Sequence, residues 1–259
     1  MTILISGGDS FTWGSELEDC TNEQHSNSTW SALLAQQLGM SYACVALAGS
    51  GNNSISRRVM RACENMLADG QDIAVAVMWS FANRTEFRFN KGTGERDSPW
   101  YSITPWVAMD NDNWLTTIQS HFVNENPIIL KHHMEHNRKM QESGIADFAK
   151  SYYMHVGNEE IWEYYTTYKE IMFLQQYLDS KNIPYVFTHV EPLFVEISVD
   201  ADLTVVRNQI NMDKFYKFEG FYRWATENNY EFGTTHPLES AHVDFADLLF
   251  KHCKANNII

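Results

Sequence analysis

The run Asp72-Ile-Ala-Val-Ala-Val-Met-Trp79 is apolar without a break after its first residue. A strand with one wet face alternates polar and apolar side chains. This run offers water no polar position, so it reads as buried on both faces. Three further short runs read the same way: Thr2–Ser6, Tyr42–Leu47 and Ile183–Val190. Strands of this kind need helices above and below them, which predicts parallel βαβ units in a layered α/β domain.

The segments between the strands supply those helices. Ser28 is a fair N-cap for a helix with Trp30, Leu33, Leu34 and Leu38 on one face and Gly39 past its end. Gly49-Ser-Gly51 turns the chain into a helix with Ile55, Val59 and Met66 inward. Asn158 caps a long helix to about Asp179, another covers about Met212–Glu227, and the last runs from about Leu238 to Ala255. From about Phe87 to Asn158 the periodicity is weak and aromatics are frequent, among them Trp100, Tyr101, Trp106 and Trp114. The chain therefore reads as one domain, residues 1–259, with 87–158 an insertion or lid. The aromatics there suit a lid, a carbohydrate-stacking wall or ordinary core.

Charge narrows the partners. The 259 residues carry a formal net charge of -14 and no Lys/Arg run. That disfavours nucleic acid and anionic membranes as the main partner. The first residues lack the basic and apolar regions of a signal peptide, and no run reaches the roughly 18 apolar residues of a membrane span. A cytoplasmic setting is expected. The four cysteines show no CxxC spacing, so reduced thiols are expected.

In parallel sheets the ligand site lies at the carboxyl ends of the strands. Three stretches with chemical potential fall there. Gly7-Gly-Asp-Ser10-Phe-Thr-Trp-Gly14 places a serine directly after the first strand, where a neighbouring base makes it a nucleophile. Asp9 or Ser10 could equally cap the next turn. Gly49-Ser-Gly51-Asn52 opens a helix whose amides could hold an acyl oxyanion or a phosphate, or could simply turn the chain. Its spacing is neither GxGxxG nor a P-loop. Trp79-Ser-Phe-Ala-Asn83-Arg84 offers an Asn side chain as a donor to the same oxyanion, or as a loop closure. Later, Thr235-His-Pro-Leu-Glu-Ser-Ala-His242 holds two histidines six residues apart.

Together these stretches resemble the blocks of the SGNH, or GDSL, hydrolase superfamily, in the family's order. Gly8-Asp-Ser10-Phe-Thr-Trp-Gly14 is similar to the first block, and Gly51 falls at the second-block glycine. Asn83 stands for the third-block asparagine, although Trp-Ser-Phe-Ala-Asn-Arg departs from Gly-x-Asn-Asp. His236-Pro237 followed by Ala241-His242 is similar to the last block. The resemblance implies a three-layer α/β/α sandwich, SGNH-hydrolase or flavodoxin-like, with a mostly parallel five-stranded sheet. It implies ester or thioester hydrolysis through an acyl-serine, without a cofactor or metal. Ser10 would be the nucleophile and His236 its base, with Pro237 starting the last helix. The Ser10 and Gly51 amides and the Asn83 side chain would form the oxyanion hole. His242 would pack or cap locally.

One element departs from the family. Its acid lies three residues before the histidine, and here that residue is Gly233. Either a backbone carbonyl supports a Ser–His dyad, or another carboxylate takes the role, Glu191 and Glu231 being the candidates. The preferred substrate is an ester of a small molecule or a carbohydrate, an O-acetyl sugar above all. Two other readings remain. A degenerate hydrolase fold could serve binding alone. His132-x-x-Glu135-His136 matches a zinc-hydrolase pattern, with Glu159 or Glu160 imaginable as a third ligand.

Overall fold

A computed structural model describes residues 1–21, 23–90, 97–108, 127–194, 200–216 and 219–259, with side chains 127–133 and 137 outside the description. Trp114 lies outside the described residues.

Four parallel strands form the central sheet: β1 (Ile3–Gly7), β2 (Ser41–Cys44), β3 (Ile73–Trp79) and β6 (Tyr185–His189), in the order β2-β1-β3-β6. Between β3 and β6 lies a separate antiparallel pair, β4 (Thr85–Arg88) and β5 (Trp100–Ile103). The helices are α1 (Ser10–Trp13), α2 (Trp30–Leu38), α3 (Asn52–Ala68), α4 (Pro127–Glu142), α5 (Ile145–Tyr152), α6 (Glu160–Ser180), α7 (Ala201–Arg207), α8 (Phe221–Glu227) and α9 (Glu239–Asn256).

The strand period of two sorts the core into two layers. Ile5, Val75, Val77 and Phe187 point to one face, against Ile55 and Val59 of α3 and Tyr168, Ile171 and Leu174 of α6. Leu4, Ala74, Ala76 and Val186 point to the other, against Trp30 and Leu34 of α2, Phe221 of α8 and Phe245 and Leu249 of α9. Each fully buried Leu, Ile or Phe here contributes roughly 1.5–3 kcal/mol. The result is a three-layer α/β/α sandwich. No helix among the described residues is long and apolar enough to cross a membrane.

Three expectations change in detail. The fifth strand is reduced to one parallel bridge, Phe187 to Phe215, with the Tyr216 amide donating to the Phe187 carbonyl at 2.9 Å. The helix expected over Met212–Glu227 is split accordingly: a 3₁₀ turn at Met212–Lys214, the bridge at Phe215, then α8 after Gly220, which has φ 98°. A continuous helix could not pair that edge. Two caps also shift by one residue, to Thr29 for α2 and Glu159 for α6, whose side chains accept from the amides of Ala32 and of Ile161 and Trp162.

Residues 85–157 include the β4–β5 hairpin and a small core of their own around Ile103, Met140, Ile145, Ala149 and Tyr153. Trp100 stacks under the Arg57 guanidinium, 4.6 Å from the ring centre, and Trp106 is 49% exposed.

Candidate active site

β1 ends at Gly7, and three residues on the chain makes the single helical turn α1, which begins with Ser10. Asp9 is its N-cap: Oδ1 accepts the Phe11 amide at 3.1 Å. A side chain at Gly8 would overlap Thr12, so only glycine lets the turn fold back this tightly. Gly14, at φ 82°, ends it. Asp9 caps the turn, and Ser10 is its first residue.

The capping carboxylate is fully buried and carries two further partners. Its Oδ2 accepts from Ser80 Oγ at 2.6 Å and Arg84 Nη1 at 2.9 Å. Ser80 is itself clamped by Asn52, the first residue of α3. The Ser80 amide donates to Asn52 Oδ1 at 2.8 Å, and Asn52 Nδ2 donates to the Ser80 carbonyl at 3.2 Å and to Thr167 Oγ1 at 3.0 Å. The carboxyl ends of β1 and β3 and the start of α3 are thus tied into one polar frame around the serine.

A histidine arrives beside Ser10 from the other end of the chain. Phe232 and Pro237 form an antiparallel bridge, the Gly233 amide donates to the His236 carbonyl at 2.9 Å, and the Leu238 amide donates to the Glu231 carbonyl at 2.9 Å. This tight loop carries His236 over α1, its ring 4.7 Å from that of Phe11. His236 Nε2 lies 2.9 Å from Ser10 Oγ. Pro237 precedes α9 rather than starting it; Leu238 is the N-cap.

The acid is Glu16. Its Oε1 lies 3.0 Å from His236 Nδ1, and the Thr235 amide and hydroxyl donate to the same carboxylate at 3.1 and 3.0 Å. Thr235 Oγ1 is also 2.9 Å from Nδ1. The carboxylate against His236 is thus neither Glu191 nor Glu231, the two expected as candidates, but comes from the loop after α1. Burial raises the Glu16 carboxyl, but the hydrogen bond and charge of His236 and the Thr235 donors outweigh it and hold it down at about 2. Glu16 is therefore ionised at neutral pH. Its backbone sits at φ 72°, an uncommon conformation for a residue with a side chain.

Nothing in the sequence pattern singled out Glu16, six residues after the serine. The one available signal was negative: a glycine where the family has its acid. Arg84 was visible only as part of a loop stretch.

Gly51 and Asn83 both lie near this frame. The Gly51 amide donates to Ser102 Oγ of β5 at 3.0 Å, and a side chain there would strike the Arg84 carbonyl. Asn83 stands in the turn closed by the Arg84 amide on the Phe81 carbonyl, and its own carbonyl accepts from Tyr153 Oη at 2.7 Å. His242 is buried in α9 and serves packing: its Nδ1 accepts the Trp30 amide at 3.0 Å. Burial, and the charge of His236, push it down to about 3. In the zinc pattern, the His132 side chain lies outside the described residues, and His136 Nε2 meets Tyr101 Oη at 2.7 Å. Among the described residues no three His, Cys, Asp or Glu side chains gather around a metal position.

No family model and no curated protein matches the sequence. Solved structures do align along nearly all of it. One is the psychrotrophic esterase EstA from Pseudoalteromonas sp., at 12% identity and TM-score 0.48, covering 98% of this chain and 97% of that one. A second is described as a lipolytic protein of the G-D-S-L family from Desulfitobacterium hafniense, at 11% identity and TM-score 0.41, covering 97% and 99%. A third is the acetyl xylan esterase Est2A from Butyrivibrio proteoclasticus, at 12% identity and TM-score 0.46, covering 99% of this chain and 64% of that one. The likeness is one of fold.

Proposed function

We propose that the protein is a serine esterase of the SGNH type. The observation that carries this reading is the line Ser10 Oγ, His236 Nε2, His236 Nδ1, Glu16 Oε1, with contacts of 2.9 and 3.0 Å. With the proton on Nδ1 facing the ionised Glu16, Nε2 is the free acceptor beside the serine hydroxyl. Ser10 Oγ attacks the ester carbonyl while its proton passes to Nε2. Glu16 fixes that tautomer and stabilises the imidazolium. The imidazolium then protonates the departing alcohol. Water, deprotonated by the same nitrogen, releases the acid from the acyl-serine.

The Ser10 and Gly51 amides and the Asn83 side chain are the proposed donors to the tetrahedral oxygen. Donation from Gly51 requires the Ser102 hydroxyl to give way. The proposed substrate is a short-chain ester, with an O-acetylated carbohydrate preferred. The exposed Trp106 in residues 87–158 suits a sugar-stacking wall, and that segment is proposed as a lid. Replacing Ser10 by Ala tests the reading. Turnover of p-nitrophenyl acetate should fall by several orders of magnitude, and fluorophosphonate labelling should vanish, with the melting curve intact. Activity at the wild-type level in the purified variant would overturn it.

A further inference from the structure

Arg84 is placed for a second task beyond pairing with Asp9. Its Nη1 donates to Asp9 Oδ2 at 2.9 Å and reaches Ser80 Oγ at 3.2 Å, while its Cζ lies 4.3 Å from the centre of the Phe81 ring. A guanidinium has five donor hydrogens in a rigid fork. Among the described residues, Nε and Nη2 have no hydrogen-bond partner. Neither is a sealed, unsatisfied atom, and the side chain keeps 16% of its exposure above a carboxylate that keeps none.

Asp9 places the guanidinium beside the turn that carries Ser10. One oxygen of its carboxylate takes the Phe11 amide, the second amide of α1, and the other takes Arg84. The Ser10 amide is the first amide of the same turn. The guanidinium and the Ser10 N–H therefore lie at one end of the turn that carries the nucleophile. Phe81, on which Arg84 rests, is 6.3 Å from Phe11, and Phe11 is 4.7 Å from His236.

We infer that Arg84 is a catalytic residue, whose open guanidinium edge donates to the oxyanion formed when Ser10 attacks an ester. The inference rests on the acyl-serine reading above. As the Oγ–C bond forms, the carbonyl electron pair moves onto oxygen and the hydroxyl proton goes to His236. Arg84 meets the new charge without transferring a proton. When the pair returns, the C–O bond to the alcohol breaks and His236 supplies the proton.

The test compares Arg84→Lys and Arg84→Ala on p-nitrophenyl acetate, a neutral ester, with melting curves for both. The Lys variant keeps a cation on Asp9 but withdraws the second edge of the fork. Its kcat should fall about 100- to 1000-fold, the loss typical of one oxyanion donor, with KM changed less than about threefold. Added guanidinium, below concentrations that lower the melting temperature, should restore part of the activity of Arg84→Ala; sodium chloride at equal ionic strength should not. Wild-type kcat in Arg84→Lys overturns the inference. So does a defect confined to KM on an ester whose acyl group carries a carboxylate, which would make Arg84 a reader of substrate charge. If Arg84→Ala fails to melt cooperatively while Arg84→Lys is fully active, the role is structural. The two readings separate cleanly. If fluorophosphonate does not label wild-type Ser10, both fall; if it does and Arg84→Lys turns over normally, only this one falls.

Discussion

The Glu16 carboxylate fills the space that a side chain at Gly233 would need. A Cβ built on Gly233 would lie 3.1 Å from Glu16 Cβ and Cδ and overlap Oε2. The missing acid of the last sequence block and the presence of Glu16 are therefore one fact. His236 finds a carboxylate in the same region of space, supplied from a different part of the chain.

Glu16→Gln should lower kcat steeply. The amide keeps the shape but loses the charge that stabilises the imidazolium, and losing a triad acid can cost about ten-thousand-fold. A drop of at least about a hundredfold is expected on p-nitrophenyl acetate. Glu191→Gln and Glu231→Gln should each cost less than about tenfold. Equal small losses in all three variants would leave His236 working without a carboxylate.

Gly233→Ala should act through Glu16. The new methyl group must displace the carboxylate, and a displacement of about 1 Å in a catalytic group can cost about a hundredfold. The φ of Gly233 is not in the left-handed region, so an L-residue fits the backbone. The exchange Glu16→Gly with Gly233→Asp should therefore recover at least about tenfold in kcat over Glu16→Gly alone, because the acid returns to the neighbouring loop position. A double variant no better than Glu16→Gly would show that Glu16 does more than hold a carboxylate there.

The pH dependence of stability carries a second signature of Glu16. Its folded pKa of about 2 lies below the unfolded value of 4.5. The unfolded chain thus binds the proton first on acidification. The stabilisation is complete above about pH 4.5 and is lost as pH falls towards 2. Melting temperatures of the wild type and Glu16→Gln should differ most at pH 5 and above and converge only below about pH 2. A gap that stays constant across this window would mean that the carboxylate is not held down by its partners.

Asn83→Ala tests the remaining side-chain donor. Its main-chain contact, the carbonyl accepting from Tyr153 Oη, survives the substitution, so the turn should persist. Loss of one oxyanion donor lowers kcat about 100- to 1000-fold with little change in KM. An unchanged kcat would assign the task to the amides and Arg84.

The sheet was legible because burial on both faces leaves its mark in every residue of a strand such as Ile73–Trp79. The stretches that bring Ser10 and His236 together were legible because their neighbours, Gly8 and Pro237, impose local geometry. Glu16 was not, because its role depends on a loop meeting a hairpin 219 residues away through Thr235, and no periodicity records such a meeting. The β4–β5 hairpin was missed for a related reason. Its strands are only four residues each and pack on a small satellite core rather than on the main sheet. The helix expected over Met212–Glu227 failed where tertiary pairing at Phe215 overrode local propensity.

His242 provides the last prediction, one of stability without chemistry. It is six residues from the base, yet it faces the core, where its Nδ1 accepts the Trp30 amide at 3.0 Å. That amide opens α2 and has no partner within its own helix. His242→Ala would leave it buried and unpaired and open a cavity beside Phe221, whose ring lies 4.9 Å away. The orphaned amide alone costs roughly 1–3 kcal/mol. A destabilisation of at least about 2 kcal/mol is expected in chemical denaturation. His242→Asn, which can offer an oxygen to the same amide, should recover part of it. Acidification gives an independent check. Burial holds the folded His242 down at about 3 against 6.5 unfolded, so the unfolded state takes up the proton first as pH falls. His242 therefore draws stability down between about pH 6.5 and pH 3, and that slope should flatten in His242→Asn. Turnover per folded molecule should stay within about twofold of wild type in both variants, since neither touches Ser10, His236 or Glu16. A large fall in kcat with the fold intact would move His242 from the core into the catalytic machinery.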